Sequence, residues 1–150
     1  MNKLNLKIKI VYLSLLLALL SSISSASGFT LKVSVDNLRN SKGVVQFALY
    51  NKDGTIPDEN YQKQYKKHIE NISKNRAETL FTDLPEGRYA INILHDENKN
   101  GEIDKGLLLP TEGIGFSNYD SISITNKPNF KKASFKLNLD TKKSIKVIYL

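Results

Sequence analysis

The sequence predicts an all-β fold, a Greek-key β-sandwich of about seven strands. Short runs alternate apolar and polar residues with period two, which is the pattern of half-buried strands. Turn residues separate these runs, and no strand–helix–strand alternation is visible. The chain of 150 residues has no cysteine, so packing or a bound ion must stabilise the fold in place of disulfides.

The first 26 residues are predicted to be a secretory signal peptide. Three lysines precede an uncharged apolar run at 10–20, and Ser24 and Ala26 fit the small-residue positions of a signal-peptidase site. We therefore expect cleavage after Ala26, a periplasmic or secreted protein, and a single domain over residues 28–150. A retained anchor is the alternative, but a span needs about 20 apolar residues, so we expect no stable membrane span after cleavage.

Each predicted strand follows from one alternating run. These runs occupy residues 29–35, 45–50, 77–81, 88–95, 135–139 and 145–149. Asn40–Gly43 fits a hairpin between the first two strands, Leu84–Gly87 fits a tight turn, and Asp140–Lys143 joins the last pair.

Two stretches have a weaker pattern. Tyr61–Ile72 carries apolar residues at near-helical spacing, so it fits either a short helix or a turn that leads into a strand. We predict a helical turn followed by a strand from about Lys67 to Ile72. Residues 105–130 form a long connection rich in glycine and proline, and connections of this length are often functional.

The positive charge is concentrated at the end of the chain. Removing the signal lowers the net charge from +7 to +4. Seven lysines then face one acid, Asp140, near the C-terminus: Lys127, Lys131, Lys132, Lys136, Lys142, Lys143 and Lys146. An exported chain rarely meets nucleic acid, so we expect no nucleic-acid partner. A solvated strand face that lysine keeps from edge pairing is one interpretation, and binding to an anionic envelope surface is the other.

The stretch HDENKNGEID at 95–104 predicts a calcium loop. Oxygen-bearing residues recur at alternate positions around a glycine at 101, which is how an EF-hand-type loop directs ligands at one ion. The candidate metal ligands are Asp96, Asn98, Asn100, Glu102 (through its carbonyl) and Asp104.

This loop departs from an EF-hand in two ways. Its twelfth position, normally a bidentate glutamate, is Leu107, and a strand rather than a helix precedes it. Glu112 is the nearest substitute for the missing carboxylate, and Glu97 is a weaker one. With only Asp96 and Asp104 as charged ligands inside the loop, we expect weak Ca²⁺ binding. The alternative is an Asx-rich turn that hydrogen-bonds its own backbone and holds no ion.

A family resemblance rests on three segments in a fixed order: LRNSKGVVQFALYN at 38–51, FTDLPEGRYAINILHDENKNGEID at 81–104 and LPTEGIGFSN at 109–118. Together they resemble the small exported bacterial proteins of the domain-of-unknown-function family 2141. The resemblance implies a prealbumin-like or immunoglobulin-like sandwich with no established activity. It also marks the second loop, in which Gly113 and Gly115 would permit unusual backbone angles and Phe116 would anchor the loop to the core. We expect this loop to fold back on 96–104, so that Glu112 or a carbonyl completes the ion shell.

The sequence favours a protein that is not an enzyme, with no catalytic residue and no cofactor besides the ion. It has no nucleophile elbow and no phosphate loop. His95 is in phase with the core residues of its strand and His68 lies among lysines, which does not suggest a zinc site. We expect a binding module for an unknown envelope or extracellular partner. The alternatives are a transthyretin-like hydrolase, with His95 and Glu112 in an open pocket, and a structural accessory domain without metal.

Overall fold

The computed structural model describes residues 28–107, 109–123 and 125–150. The predicted signal peptide lies outside the described residues. The described part contains eight strands and one short helix: β1 (Phe29–Val35), β2 (Val44–Tyr50), β3 (Lys66–Asn71), β4 (Ala77–Leu84), β5 (Gly87–Asp96), β6 (Gly113–Phe116), α1 (Phe130–Ala133), β7 (Phe135–Leu137) and β8 (Thr141–Ile145). The all-β prediction is therefore confirmed. Within these ranges, no helical segment could reach across a lipid bilayer.

The strands form two sheets. One has the order β4-β1-β8, and the other has the order β3-β2-β5-β6, with β7 added against the first residues of β5. Most neighbours are antiparallel, but β1 and β8 run parallel. The strand beyond the predicted seven is β6, which lies inside the stretch 105–130 that the sequence predicts as a long connection. The predicted last strand at 145–149 is wrong, since β8 spans Thr141–Ile145. The Greek-key connectivity stays a prediction.

The two sheets share one hydrophobic core. Leu31, Val33 and Phe81 from the three-stranded sheet and Phe47 and Ile91 from the other sheet all have an exposed fraction of 0% in one cluster. These are the apolar positions of the period-two runs, since alternate side chains of a strand point to the same face. Burying each such side chain contributes about 1.5–3 kcal/mol.

A second cluster covers the opposite face of β2 and β5. The segment around 56–61, Tyr119 and the helix α1 pack over this face, and Ile114 and Phe116 of β6 extend it. Its members are Ala48, Tyr50, Ile56, Tyr61, Ala90, Leu94, Ile114, Phe116, Tyr119, Phe130 and Ala133. The central strands β2 and β5 are consequently buried on both faces, which an alternating pattern does not predict.

The predicted hairpin at Asn40–Gly43 is wrong, because it connects strands of different sheets: β1 pairs with β4 and β8, whereas β2 pairs with β3 and β5. The predicted connection at Asp140–Lys143 is mostly part of β8, and the chain changes sheets again between β7 and β8. The apolar faces of β1 and β2 meet across the core, so the chain crosses between layers and the strands do not pair. A hydrogen bond of 2.8 Å from the Thr30 N–H to the Asp140 carboxylate fixes the second crossing.

The predicted helical turn at the start of Tyr61–Ile72 is also wrong, although the following strand is present as β3. The carboxylate of Asp58 accepts hydrogen bonds from the N–H groups of Gln62 (3.2 Å) and Lys63 (2.7 Å). The Tyr65 N–H donates to the carbonyl of Leu49 at 2.7 Å. These partners occupy the backbone donors that a helical turn would use.

The C-terminal lysines lie mainly on exposed positions. Lys142 and Lys143 belong to β8, which is an edge strand of its sheet. Lys136 forms an ion pair of 3.0 Å with Glu86, and the Lys143 ammonium lies 4.6 Å from the ring centre of Phe135. Charged side chains on an edge strand oppose pairing with another chain.

Candidate functional site

The loop 96–104 begins at the last residue of β5, and the buried carboxylate of Asp96 organises its first turn. Asp96 has an exposed fraction of 2%. Its two oxygens accept hydrogen bonds from the N–H groups of Asn100 (3.1 Å) and Gly101 (2.8 Å). Gly101 has a φ of 79°, in the left-handed region that favours glycine. The chain thus turns sharply around one carboxylate.

Asp104 closes the other side of the loop. Its carboxylate accepts hydrogen bonds from the side-chain amides of Asn98 (2.6 Å) and Asn100 (2.8 Å). The amide oxygens of Asn98 and Asn100 accept backbone N–H groups two residues later, each at 2.9 Å, as in Asx-turns. The four side chains at 96, 98, 100 and 104 therefore converge inside one small ring.

The segment before β6 folds back on this ring through Glu112. Glu112 has an exposed fraction of 4%. One carboxylate oxygen accepts the N–H of Glu97 at 2.8 Å, and the other accepts the N–H of Asp104 at 3.3 Å. The Thr111 N–H donates to the carbonyl of Asp104 at 2.9 Å. Glu112 thus bridges the two ends of the loop, as the fold-back hypothesis requires.

The electrostatics show that carboxylates crowd this position. Burial raises the pKa of Glu112, and the neighbouring charges of Asp104 and Asp96 raise it further, while its two backbone hydrogen bonds lower it. Among the described residues, no group of three or more His, Cys, Asp or Glu side chains is arranged as a metal shell. The carboxylates are near one another, and their oxygens point at N–H groups of the loop.

The other predicted positions lie outside this ring. The side chain of Glu102 is exposed, and only its backbone N–H takes part in the loop. Leu107, at the twelfth position, has an exposed fraction of 98%. Glu97 forms an ion pair of 2.5 Å with Arg39, and the hydrogen bond from Arg39 is the main cause that lowers the pKa of Glu97. Glu97 is therefore engaged away from the ring.

His95 is buried next to the loop and fully hydrogen-bonded. Its exposed fraction is 0%, with Nε2 at 3.0 Å from the carbonyl of Lys42 and Nδ1 at 2.7 Å from the hydroxyl of Tyr149. Since a carbonyl only accepts, Nε2 carries the proton and Nδ1 accepts from Tyr149. The Tyr149 hydroxyl in turn accepts the N–H of Arg39 at 3.1 Å.

Sequence reasoning missed the contribution of Arg39 and Tyr149 to this region. Arg39 lies 58 positions from Glu97, and Tyr149 lies 54 positions from His95. The Arg39 guanidinium also stacks over the Tyr149 ring, 4.7 Å from its centre, and donates to the carbonyl of Thr111 at 3.0 Å. No local pattern could reveal contacts between such distant positions.

The expected role of Gly113 and Gly115 is wrong in its physical cause. Neither has a positive φ, and both lie in β6. A Cβ at Gly115 would meet the carbonyl oxygen of Lys146 at 2.6 Å, and a Cβ at Gly113 would overlap the side chains of Val147 and Tyr149. These glycines let the C-terminal segment lie close against β6.

Comparisons with known proteins give one informative result. No curated protein and no solved structure matches the chain. A family model described as "Uncharacterized protein conserved in bacteria (DUF2141)" matches residues 33–146. The match spans both sheets, the loop 96–104 and Glu112, and it agrees with the three segments that carry the resemblance. The chain therefore belongs to the DUF2141 family of uncharacterised bacterial proteins.

Proposed function

We propose that the protein is an exported, non-catalytic binding domain whose loop 96–104 holds a calcium ion. In this proposal Glu112 is the carboxylate ligand that the loop lacks at position 107. The observation that carries it is the bridge from Glu112 to both ends of the loop, through the N–H groups of Glu97 and Asp104. In an EF-hand loop the corresponding carboxylate is the bidentate glutamate at the twelfth position.

Charge supports a cation at this position. The carboxylates of Asp96, Asp104 and Glu112 lie close enough that the first two raise the pKa of the third. Like charges held together are unfavourable, and a divalent cation would reverse their effect. The only lysine within the turn, Lys99, is exposed.

The available donor atoms suit a hard cation. Each carboxylate oxygen of Asp96 accepts one N–H and keeps a further lone pair. Rotation of the Asn98 and Asn100 amides would direct their oxygens inward. An all-oxygen set on an irregular loop favours Ca²⁺ over Zn²⁺, which prefers nitrogen and sulfur ligands, and over Mg²⁺, which demands strict octahedral geometry.

Two further observations support a binding role over the hydrolase alternative. His95 is inaccessible, and both of its ring nitrogens are hydrogen-bonded, which leaves it unavailable to a substrate. The exposed Lys142 and the half-buried Lys143 on β8 offer a basic edge to an anionic partner in the cell envelope.

The export part of the proposal rests on the predicted signal peptide. Mass spectrometry of the intact mature protein tests it, since cleavage after Ala26 gives a chain that begins at Ser27.

Unfolding in chelator and in millimolar calcium tests the ion site. Calcium should raise the free energy of unfolding by about 2.7 kcal/mol at a hundredfold excess over the dissociation constant, and the unfolding midpoint should rise with it. Glu112→Gln should lose most of this increase. Glu102→Gln is the matched control, because the Glu102 side chain is exposed and makes no hydrogen bond among the described residues, and it should keep the increase.

Two results would contradict the proposal. If calcium does not change the unfolding midpoint of the wild-type protein, the loop is an Asx-rich turn that binds no ion. A full calcium response in Glu112→Gln would show that another group completes the shell.

A further inference from the structure

We propose that the outer layer of the domain binds a small anionic amphiphile in a cavity between β5, β6 and the segments that cover them. This goes beyond the calcium proposal and does not depend on it. The site is on the face of the sheet opposite the main core, and its ligand would combine an apolar body, a hydrogen-bond donor and an acidic group.

The cavity has the size and lining of a small-molecule site. Its volume is about 620 Å³, within the range of roughly 300–1,000 Å³ that ligand pockets occupy. Its walls are mainly apolar and include Ile103, Ile114, Phe116 and Ile122. An apolar body of ten or so carbon atoms would be removed from water there, which is the main source of affinity in such pockets.

One buried acceptor atom in the lining has no hydrogen-bond partner, although the amide that carries it lies beside the hydroxyls of Tyr50 and Tyr61. Asn92, in the middle of β5, has an exposed fraction of 1%, and its side-chain Oδ1 has no hydrogen-bond partner among the described residues. A buried acceptor without a donor is unfavourable, so such atoms are rare in native proteins. A hydroxyl or N–H of a ligand in the cavity would satisfy it.

The cavity lining holds two acids and two lysines, and only one of these four charged side chains is left free to pair with a ligand. Asp58 lies in the wall, but its carboxylate is engaged by the Tyr50 hydroxyl at 3.1 Å and by two backbone N–H groups. Lys105 is paired with Glu59 at 2.5 Å. Lys127 is exposed and forms no ion pair among the described residues. It is the cation left for a ligand.

Fluorescence titration with anilinonaphthalene sulfonate, which carries two aromatic groups, one N–H and one sulfonate, tests the site. We expect saturable binding with a micromolar dissociation constant, in chelator as well as in calcium. Asn92→Leu should weaken it about tenfold, the equivalent of one hydrogen bond, and Ile122→Trp should abolish it by filling the cavity. Lys127→Gln should weaken it about two- to fivefold, as for an exposed ion pair. Lys131→Gln is the control and should have no effect, because Lys131 is exposed and does not line the cavity.

Competition defines the ligand class. Hydroxydecanoate should displace the dye better than decanoate, and decanoate better than decylamine. Absent dye binding, or equal binding by wild type and Ile122→Trp with cooperative unfolding intact, would overturn the proposal. Decylamine as the best competitor would overturn the anionic head group. Displacement by anionic vesicles but not by free decanoate would assign the face to a membrane surface instead. Because these measurements hold in chelator, their failure is distinct from failure of the calcium site.

Discussion

Strands β2 and β5 are buried on both faces, and the two faces differ in how their polar groups are paired. The inner face, against the other sheet, is apolar apart from His95, and both nitrogens of His95 are hydrogen-bonded. The outer face carries Gln46 and Asn92, with exposed fractions of 0% and 1%, and both have side-chain atoms without partners.

The unpartnered buried side-chain atoms of the described residues belong to Gln46, Asn92, Tyr61 and Gln64. Gln46 and Asn92 lie on the outer face, Tyr61 packs over it, and Gln64 lies in the segment before β3. The inner face thus meets the usual requirement that buried polar atoms be paired, whereas the outer face does not. The inner face therefore stabilises the fold, whereas the outer face has buried polar atoms without hydrogen-bond partners. The next three measurements test this difference between the faces, and a fourth concerns the loop at the end of β5.

The largest effect should come from the inner face. Phe47→Ala removes a fully buried ring from the shared core, and we expect a loss of about 3–5 kcal/mol in the free energy of unfolding by urea. Ile69→Ala, at a position that is 55% exposed in the same sheet, is the control and should change stability by less than about 0.5 kcal/mol. Similar losses in both variants would mean that the two sheets do not share a tight core.

The paired polar group of the inner face gives the second test. Tyr149→Phe removes the hydroxyl that donates to Nδ1 of His95 and accepts the Arg39 N–H. We expect a loss of about 1–3 kcal/mol, since the buried His95 loses its hydrogen-bond donor and the exposed Arg39 N–H loses its acceptor. Tyr65→Phe is the control, because Tyr65 is 42% exposed, and should be nearly neutral. A neutral Tyr149→Phe would show that His95 does not need this bond.

On the outer face, we expect a substitution to increase the free energy of unfolding. Gln46→Leu replaces a buried amide, whose oxygen and nitrogen both lack partners, by an apolar side chain of similar size. We expect the free energy of unfolding to rise by about 1 kcal/mol. Gln62→Leu, at an exposed position, controls for added apolarity and should have little effect. A loss of stability in Gln46→Leu would indicate that water or a ligand already satisfies the amide.

This division also explains which parts of the fold the sequence could predict. The alternation in residues 29–35 and 77–81 indicates strands with one buried face, and Leu31, Val33 and Phe81 occupy that face. The burial of Gln46 and Asn92 could not be predicted in this way, since polar residues in an alternating strand normally indicate solvent. They are buried by distant segments that have no periodicity of their own.

The candidate site was predictable to the extent that it is local. Asp96, Asn98, Asn100 and Asp104 are close in sequence, and their spacing alone indicates that they converge. Glu112 was found through its nearness and the family resemblance. Arg39 and Tyr149 reach the same region only because the chain crosses between the two sheets. Arg39 lies in the crossing from β1 to β2, which the sequence predicted incorrectly as a hairpin.

The smallest effect should appear where the strand ends, in the pH dependence of two neighbouring glutamates. The folded-state pKa of Glu112 is raised above its ordinary value of 4.5, mainly by burial. Its contribution to stability is therefore present below that value and is lost as the pH rises through the folded-state pKa. The pKa of Glu97 is lowered, mainly by the hydrogen bond from Arg39, so its contribution is present above the ordinary value and is lost as the pH falls through the folded-state pKa.

Urea unfolding in chelator from about pH 4 to about pH 7, on both sides of the ordinary carboxyl range, measures these opposite signs. The stability of Glu112→Gln relative to wild type should increase with pH, and that of Glu97→Gln should decrease. The constant cost of placing an amide at either position shifts each curve without changing its slope. Saturating calcium should remove the slope due to Glu112, because an ion favours its ionised form. Parallel curves for the two variants would mean that the folded-state pKa of Glu112 is not raised, which would remove the electrostatic support for an ion at this end of the domain.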